Sequence, residues 1–365
     1  MAVVRNDPLA GELEAFYESL EPCGLQPLWT QNRSLMPASP LPAAVPWRWD
    51  GETMRDRAAE AGRLVSIDRG GDRRVLALAN PGLGGRPFAT ATLWGAVQYL
   101  GAGEGAPAHR HSQAAIRFVL EGTGVWTTVD GDACEMSPGD LVLTPAWTWH
   151  DHRSSSDGPM LWFDGLDMPL VAALDAPFFE IDPSGDYQEI VGRNLSLSRF
   201  SGSAGLAEHP LPPSTEESHS PKLVYRWAET DRELDRLLSG APDGVASVSF
   251  VSPASGRALM PTLGCAITRV RSGAATMPLR VTGSSICVVW AGRGRSVIDG
   301  LEMSWSAGDM FVVPSWMAAE HHAELDADLF FVTDRPALEA LGLYREQPLE
   351  HPQAVTATFD RKAPA

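Results

Sequence analysis

The spacing of hydrophobic residues changes from a helical to an extended pattern along the chain. Residues 11–21 carry apolar side chains at the spacing of one helix face: Leu13, Phe16, Tyr17 and Leu20. A second helix is predicted over residues 228–240. From about Pro87 onward, short runs rich in Val, Thr, Trp and Phe are interrupted by Gly, Pro and Asp. This pattern of short runs and turn residues predicts antiparallel strands arranged in barrels or a sandwich.

The β-rich part of the chain contains one segment twice. Residues 129–147, VDGDACEMSPGDLVLTPAW, align without gaps with residues 298–316, IDGLEMSWSAGDMFVVPSW. In each copy an Asp-Gly pair lies between two β-runs, where it favours a tight hairpin turn. A Gly-Asp pair then precedes a strand that ends at Pro. The repeat therefore predicts two copies of one β-module.

The repeat and the composition of the connecting segments suggest four regions. Residues 1–80 are expected to form an N-terminal helix and arm that pack on the modules. Residues 81–185 form the first module, and residues 241–365 form the second. Residues 186–240, which include a stretch rich in Ser, Pro and Gly, form a linker with a short helix.

Charge and hydropathy exclude two classes of partner. The 365 residues include 29 Lys and Arg against 46 Asp and Glu, which gives a formal net charge of −17. Nucleic-acid binding requires a basic surface, so a nucleic-acid partner is excluded. The sequence has no uncharged apolar run of the length that a membrane-spanning helix needs, and it begins without an apolar leader segment. We therefore expect a cytoplasmic protein with no membrane partner.

Three histidines of the first module have the spacing of metal ligands. His109 and His111 are two residues apart, so both imidazoles project from the same face of a strand. His150 follows the strand that ends the repeated block. An isolated H-x-H pair is more often a surface or packing feature, but the added His150 favours a metal site. Three imidazoles with open coordination positions suit a redox-active first-row metal or a catalytic zinc.

The second module lacks these ligands. Upstream of the gapless block, residues 120–124 align with residues 290–294 at an offset of 170, one more than the 169 of the block itself. At these two offsets the three histidines correspond, in order, to Leu279, Val281 and Ala319. His321 and His322 remain nearby but have no H-x-H partner. We therefore predict a metal-free second module that packs against the first, supports it or forms a subunit contact.

The Gly, Pro and His positions of the first module resemble the motifs of the cupin family, G-x5-H-x-H-x3,4-E-x6-G and G-x5-P-x-G-x2-H. The chain departs from them twice. Ala115 and Ile116 stand where the carboxylate is expected, and Trp147 replaces a glycine. A three-histidine site without the carboxylate resembles the gentisate 1,2-dioxygenase group, which includes salicylate and 1-hydroxy-2-naphthoate dioxygenases. The similarity extends over the segments at Pro27–Trp29, 69–78 and 89–122.

This resemblance implies an all-β bicupin, with two double-stranded β-helix (jelly-roll) barrels and a few peripheral helices. It implies one Fe(II) per subunit on the three histidines, O2 as cosubstrate and a homotetramer acting in aromatic hydrocarbon catabolism. Gentisate would be opened between its carboxyl-bearing and adjacent hydroxyl-bearing carbons to give maleylpyruvate. Salicylate and 1-hydroxy-2-naphthoate are alternative substrates. A non-oxidative metal-dependent isomerase or hydrolase, or a non-catalytic protein that binds an aromatic acid, is an alternative class.

An anionic substrate must be held by local cations, because the net charge repels it at long range. Arg117 lies six residues after His111, an even spacing that directs it to the same face of a regular strand. Its planar guanidinium matches a carboxylate, although a structural ion pair is the alternative. The resemblance adds Arg69 and Arg73, which lie in a segment that the family uses near the substrate.

The remaining candidates line the predicted pocket. The resemblance implies that His152 contacts the substrate and takes a proton from a ring hydroxyl, the alternative being an exposed loop histidine. It also places Asp164 near the pocket, where the carboxylate could orient His152. Trp94, Ala96 and Gln98 share one strand face. They are predicted pocket walls, with Ala96 setting the room for the ring, although Trp94 could equally belong to the core.

Overall fold

The computed structural model describes residues 9–69, 74–208 and 219–360. The chain divides into two compact units, Met1–Leu41 and Pro42–Ala365. The first unit contains α1 (Ala10–Leu20) and α2 (Leu28–Leu35), and α1 confirms the helix predicted from the apolar spacing. Within this unit, Trp29 Nε1 donates a hydrogen bond of 2.9 Å to Tyr17 Oη. No helix in the described ranges has the length and apolar character to cross a membrane.

The second unit is mostly β. Its helices are α3 (Gly51–Leu64), α4 (Met168–Ala173), α5 (Leu195–Arg199), α6 (Trp227–Leu238) and α7 (Arg335–Ala340). Its strands are β1 (Trp47–Trp49), β2 (Val75–Ala77), β3 (Trp94–Leu100), β4 (Gly105–His111), β5 (Ala115–Glu121), β6 (Val125–Val129), β7 (Asp132–Met136), β8 (Leu141–Thr144), β9 (His150–Ser154), β10 (Met160–Leu166), β11 (Phe179–Ile181), β12 (Gly192–Arg193), β13 (Leu206–Glu208), β14 (Val224–Tyr225), β15 (Val245–Phe250), β16 (Gly264–Val270), β17 (Leu279–Val281), β18 (Ser285–Ile298), β19 (Leu301–Ser306), β20 (Met310–Val313), β21 (Ala319–Thr333), β22 (Glu346–Pro348) and β23 (Ala357–Thr358).

These strands form the two predicted jelly-roll barrels. The first barrel consists of two six-stranded sheets, ordered β14-β8-β5-β10-β3-β2 and β11-β4-β9-β6-β7-β12. In the second barrel the long strands β18 and β21 belong to both faces, so the barrel is one eleven-stranded sheet. The mostly β architecture with few helices confirms the predicted fold class. The four predicted region boundaries stay a prediction.

The repeated Asp-Gly pairs form the predicted hairpin turns. Asp130 and Gly131 have φ values of 44° and 86°, and Asp299 and Gly300 have φ values of 50° and 84°. Positive φ at both central residues is the geometry that two-residue hairpins require, and Asp and Gly tolerate it. Each turn closes an antiparallel pair, β6 with β7 and β18 with β19.

The two barrels pack through the outer faces of their central strands. The fully buried residues of this contact include Ile116, Phe118, Phe163, Ile286, Val288 and Phe330. The rings of Phe118 and Phe330 stack with centroids 4.1 Å apart. Burial of large apolar side chains on both sides stabilises the contact, at about 1.5–3 kcal/mol for each side chain removed from water.

The segment that precedes each barrel packs on the other barrel. Strand β1 pairs with β20 of the second barrel, and β14 pairs with β8 of the first. Each strand leads into a helix whose first residue bonds to the Gly-Asp carboxylate of that barrel. Gly51 N donates to Asp309 at 2.8 Å, and Trp227 N donates to Asp140 at 2.9 Å. The sequence analysis predicted α6 but neither α3 nor this exchange.

Candidate active site

Two neighbouring strands of the first barrel bring three histidines together. His109 and His111 lie on β4, and His150 is the first residue of β9, where it pairs directly with His109. One ring nitrogen of each residue lies within 4.8 Å of the corresponding nitrogens of the other two. The spacing in the sequence predicted this grouping, because β4 and β9 are antiparallel neighbours.

Backbone carbonyls fix the orientation of each imidazole. The Nδ1 atoms of His109, His111 and His150 lie 2.8, 2.7 and 3.1 Å from the carbonyl oxygens of Pro107, Gln113 and Thr148. A carbonyl can only accept a hydrogen bond, so each Nδ1 carries a proton, and in the neutral imidazole each Nε2 keeps its lone pair.

The same site contains a buried ring nitrogen that has no hydrogen-bond partner in the protein. His150 Nε2 is buried and has no hydrogen-bond partner, which is costly unless another group occupies its lone pair. Burial lowers the pKa of His111 to about 4 and also lowers the pKa of His150. In their neutral form, three imidazoles whose ring nitrogens lie this close together are a ligand set that fits a divalent metal ion with coordination positions left open.

The turn after β8 forms a backbone hydrogen bond with one of the triad histidines. Trp147, which stands where the cupin motif has glycine, keeps a left-handed backbone with φ 65°. Its backbone N–H donates to the carbonyl oxygen of His111 at 2.8 Å. The guanidinium of Arg110 lies 5.6 Å from the Trp147 ring centroid. The indole thus makes a cation–π contact although the backbone of this residue has a conformation that usually favours glycine.

Arg117 is buried in the barrel beside Asp164. The two residues are register partners on β5 and β10, and Arg117 Nε lies 3.4 Å from Asp164 Oδ1. Arg117 Nη1 also donates to the hydroxyl of Thr144, and Trp162 Nε1 donates to Asp164 Oδ2 at 3.0 Å. Burial lowers the pKa of Arg117 and raises that of Asp164 to about 6, against the opposing effect of the partner charge. The pair holds a planar cation inside the barrel.

The route by which Arg117 reaches the interior differs from the prediction. The spacing argument assumed one strand through His111 and Arg117, but β4 ends at His111 and β5 begins at Ala115 in the other sheet. The even spacing is therefore not the cause of the inward direction. Arg117 points inward because alternation along β5 sends Ile116 and Phe118 to the contact with the second barrel.

His152 is buried next to the histidine triad. Its Nδ1 lies 2.9 Å from Thr127 Oγ1, and the Thr127 hydroxyl donates to Met136 Sδ at 3.2 Å. Thr127 therefore accepts from Nδ1–H, and in the neutral imidazole the lone pair then lies on Nε2. Burial and the nearby Arg117 lower the pKa of His152. The expectation that Asp164 orients His152 is wrong in this structure, because Thr127 provides that contact and Asp164 holds Arg117.

Strand β3 supplies the predicted wall residues. Trp94, Ala96 and Gln98 pair with Leu166, Asp164 and Trp162 of β10. Directly paired residues share a sheet face, so Ala96 lies beside Asp164, and Gln98 beside Trp162. Ala96 and Gln98 are buried, whereas Trp94 at the start of the strand is half-buried.

The structure describes one of the two further predicted arginines. Arg69 is exposed in a turn at Ile67–Arg69, and no hydrogen bond joins it to the other candidates in the described part of the chain. Arg73 lies outside the described residues.

Three residues of the site were missed by the sequence analysis. Thr127 and Thr144 carry buried hydroxyls, which leave no spacing pattern, although Thr144 aligns with Val313 in the repeat and that difference was visible. Phe179 lies on the edge strand β11, opposite His111. Its ring stacks on His109 with centroids 5.4 Å apart.

The second barrel has equivalent strand pairings without the ligand set. Its register pairs Leu279 with Ala319, where the first barrel pairs His109 with His150. His321 Nδ1 lies 2.8 Å from Ser296 Oγ, which reproduces the contact of His152 with Thr127. Within residues 9–69, 74–208 and 219–360, the histidine triad of the first barrel is the one cluster with the spacing of metal ligands.

The fold and the three-histidine centre define the chain as a duplicated cupin, and the cupin domain family matches residues 96–166. A gentisate 1,2-dioxygenase of Streptomyces sp. is 44% identical over 93% of this chain and 96% of that protein. A crystal structure of salicylate 1,2-dioxygenase from Pseudaminobacter salicylatoxidans is 41% identical, with a TM-score of 0.85 over 94% of this chain and 99% of that one. A structure of the same enzyme with gentisate adducts matches equally well, with a TM-score of 0.85 at 40% identity over 95% of this chain and 96% of that one. The chain belongs to the gentisate 1,2-dioxygenase family and is a ring-cleaving dioxygenase.

Proposed function

We propose that the chain is an Fe(II)-dependent dioxygenase that opens gentisate between its carboxyl-bearing and adjacent hydroxyl-bearing carbons, giving maleylpyruvate. The observation that carries this proposal is that three histidines bring one ring nitrogen each within 4.8 Å of one another, in a barrel that also buries Arg117. The Streptomyces relative and the structure with gentisate adducts support gentisate as the substrate. We further propose a cytoplasmic homotetramer, as the resemblance implies.

His109, His111 and His150 would hold the metal through their Nε2 atoms. Bound there, iron would supply open positions at which an aromatic hydroxy acid and O2 meet. The carbonyls of Pro107, Gln113 and Thr148 hold the rings in the tautomer that this requires. Such outer partners orient the ligands and keep them basic.

Arg117 would bind the substrate carboxylate. A carboxylate brought into a chain with a net charge of −17 needs a local cation. The guanidinium is buried, so water does not screen it. Thr144 accepts a hydrogen bond from its Nη1, and the Asp164 carboxylate forms an ion pair with its Nε. Arg69 and Arg73 stay predicted substrate contacts.

His152 would take the proton of the ring hydroxyl through Nε2. Thr127 leaves that nitrogen with its lone pair, and burial favours the neutral imidazole. Ala96, Gln98 and Trp94 would form the wall against which the ring lies, and the small side chain of Ala96 leaves room beside Asp164.

Oxygen uptake tests this function. Protein loaded anaerobically with Fe(II) is given gentisate, salicylate or 1-hydroxy-2-naphthoate, and O2 consumption is followed with the absorbance of the ring-cleaved product. We expect one O2 consumed for each gentisate. His150→Ala should lose both iron and turnover, whereas His322→Ala in the second barrel should lose neither. O2 uptake with salicylate alone would make salicylate, in place of gentisate, the proposed substrate. No O2 uptake with any of the three compounds by iron-loaded protein would overturn the proposal.

A further inference from the structure

Two aspartates, one from each barrel, accept equivalent hydrogen bonds from the other barrel. Asp167 follows the last strand of the first barrel and accepts from Thr262 Oγ1 of the second barrel at 2.5 Å. Asp334 follows the last strand of the second barrel and accepts from Thr92 Oγ1 of the first at 2.5 Å. Each carboxylate also accepts a backbone N–H of its own barrel, from Ala114 at 3.0 Å and from Ser284 at 2.8 Å. Both aspartates are buried.

One of these two contacts leads to a metal ligand. The N–H of Ala114 belongs to the peptide unit whose carbonyl oxygen, that of Gln113, lies 2.7 Å from His111 Nδ1. The peptide unit is planar and rigid, so a group that holds its N–H end also sets the direction of its C=O end. Asp167 therefore holds one end of the plane, and His111 bonds to the other end.

The symmetric contact in the second barrel has no such connection. Asp334 holds the N–H of Ser284, but the residue that corresponds to His111 is Val281, which has no ring nitrogen to orient. Thr92 and Thr262 are both half-buried and both precede a leucine. The chain thus contains two hydrogen bonds of the same kind, of which one reaches the metal site.

We propose that Asp167 and Thr262 are positioning residues for His111, and that this contact is the contribution of the metal-free second barrel to the metal site. Thr262 fixes the Asp167 carboxylate, the carboxylate fixes the peptide between Gln113 and Ala114, and the peptide carbonyl fixes the His111 ring. The inference rests on the proposed metal site, which the iron content of the parent protein and of His150→Ala tests separately.

The matched variants Thr262→Val and Thr92→Val test this proposal. Each removes one hydroxyl of similar exposure and one hydrogen bond between the barrels. The measurement is the rate at which Fe(II) passes to a chromophoric chelator under anaerobic conditions, together with the thermal unfolding of the metal-free protein. We expect similar losses of thermal stability in both variants. Direct partners of metal ligands affect affinity about 10- to 100-fold, so the more remote Thr262→Val should release iron about 3- to 10-fold faster, and Thr92→Val at the parent rate.

A rescue and a second pair complete the test. Thr262→Ser keeps the hydroxyl and should restore the parent release rate. If a valine variant does not fold, Asp167→Asn and Asp334→Asn give the same comparison, with faster release expected only for Asp167→Asn. Equal release rates for the two members of a folded pair would overturn the inference. A parent protein that binds no Fe(II) would instead overturn the proposed function.

Discussion

In the first barrel, three strands contribute a buried polar group formed by Arg117, Thr144 and Asp164. The corresponding positions of the second barrel carry Cys287, Val313 and Phe331, as the equivalent pairings of the two barrels show. The polar residues are thus all present in one barrel and all absent from the other. A buried charge is costly without its partner, whereas an apolar replacement of the whole group is tolerated. The comparison shows how one backbone can carry either a reactive interior or a packed one.

The interiors of the two barrels each contain a histidine at one equivalent position. His152 and His321 occupy the same place, and each bonds to a hydroxyl, of Thr127 and of Ser296. The second barrel keeps this imidazole although it lacks the ligand triad. A histidine at this place therefore fits the fold without metal, and the neighbouring polar group distinguishes the first barrel.

The largest effect on activity and stability should follow from replacing Arg117, the cation of this polar group. Arg117→Cys introduces the residue of the second barrel and leaves Asp164 buried without its partner. Because the substrate carboxylate loses its cation, kcat/KM should fall about 10³-fold, while removal of one member of a buried pair costs about 3–5 kcal/mol of stability. Iron content should not change. Steady-state kinetics, metal analysis and denaturant unfolding check these outcomes.

Completing the replacement sharpens this comparison. The triple variant Arg117→Cys, Thr144→Val and Asp164→Phe should regain stability relative to Arg117→Cys but no activity. A triple variant less stable than the single one would show that the first barrel cannot accept the apolar interior.

A smaller effect should distinguish the shared histidines. His152→Gln removes the proposed base, so kcat should fall about 10²-fold with iron retained, as general-base loss typically costs. His321→Gln is the matched control and should leave kcat unchanged. Equal losses of kcat in both variants would indicate a structural role for the two histidines.

The smallest effect concerns pH and the two aspartates that join the barrels. Burial raises the pKa of Asp167 to about 6 and also raises that of Asp334, from an ordinary value of 3.8. The folded state therefore binds these protons more tightly than the unfolded chain. The free energy of unfolding should decrease as pH rises from about 4 to about 6, by up to about 3 kcal/mol for Asp167, and Asp334 should contribute in the same direction.

Melting temperatures of the metal-free protein across this pH range check the prediction. Asp167→Asn cannot ionise and should flatten the decrease in part. A pH profile identical to that of the parent would assign the effect to other groups.

The sequence could predict the barrels and the grouping of the triad, because both depend on short, regular patterns. The offsets of the repeat located Leu279 and Ala319 at the ligand positions of the second barrel, and strand alternation aligned His109 with His111. It could not predict the partner of His152, since a buried hydroxyl such as Thr127 leaves no periodic signal. Nor could it predict that β4 ends at His111, because the change of sheet depends on the turn that follows.

The exchange of segments between the barrels was also beyond reach of the sequence. Arg48 and Arg226 bind the Gly-Asp carboxylates Asp309 and Asp140, which lie 261 and 86 residues away. Each arginine lies in a three-residue W-R-W or Y-R-W segment, too short to stand out against the longer repeat. The pairing is apparent only when both carboxylates are seen in place.

This exchange has a consequence for how the protein is made. A ribosome that has completed β10 has synthesised every strand that carries the proposed metal ligands, but β14 and α6 have not yet been synthesised. The edge strand β8 therefore stays uncovered until translation has passed Leu238. Strand β1 emerges first and finds its partner β20 almost last. Each barrel therefore completes its sheet only with a strand from the segment that precedes the other barrel.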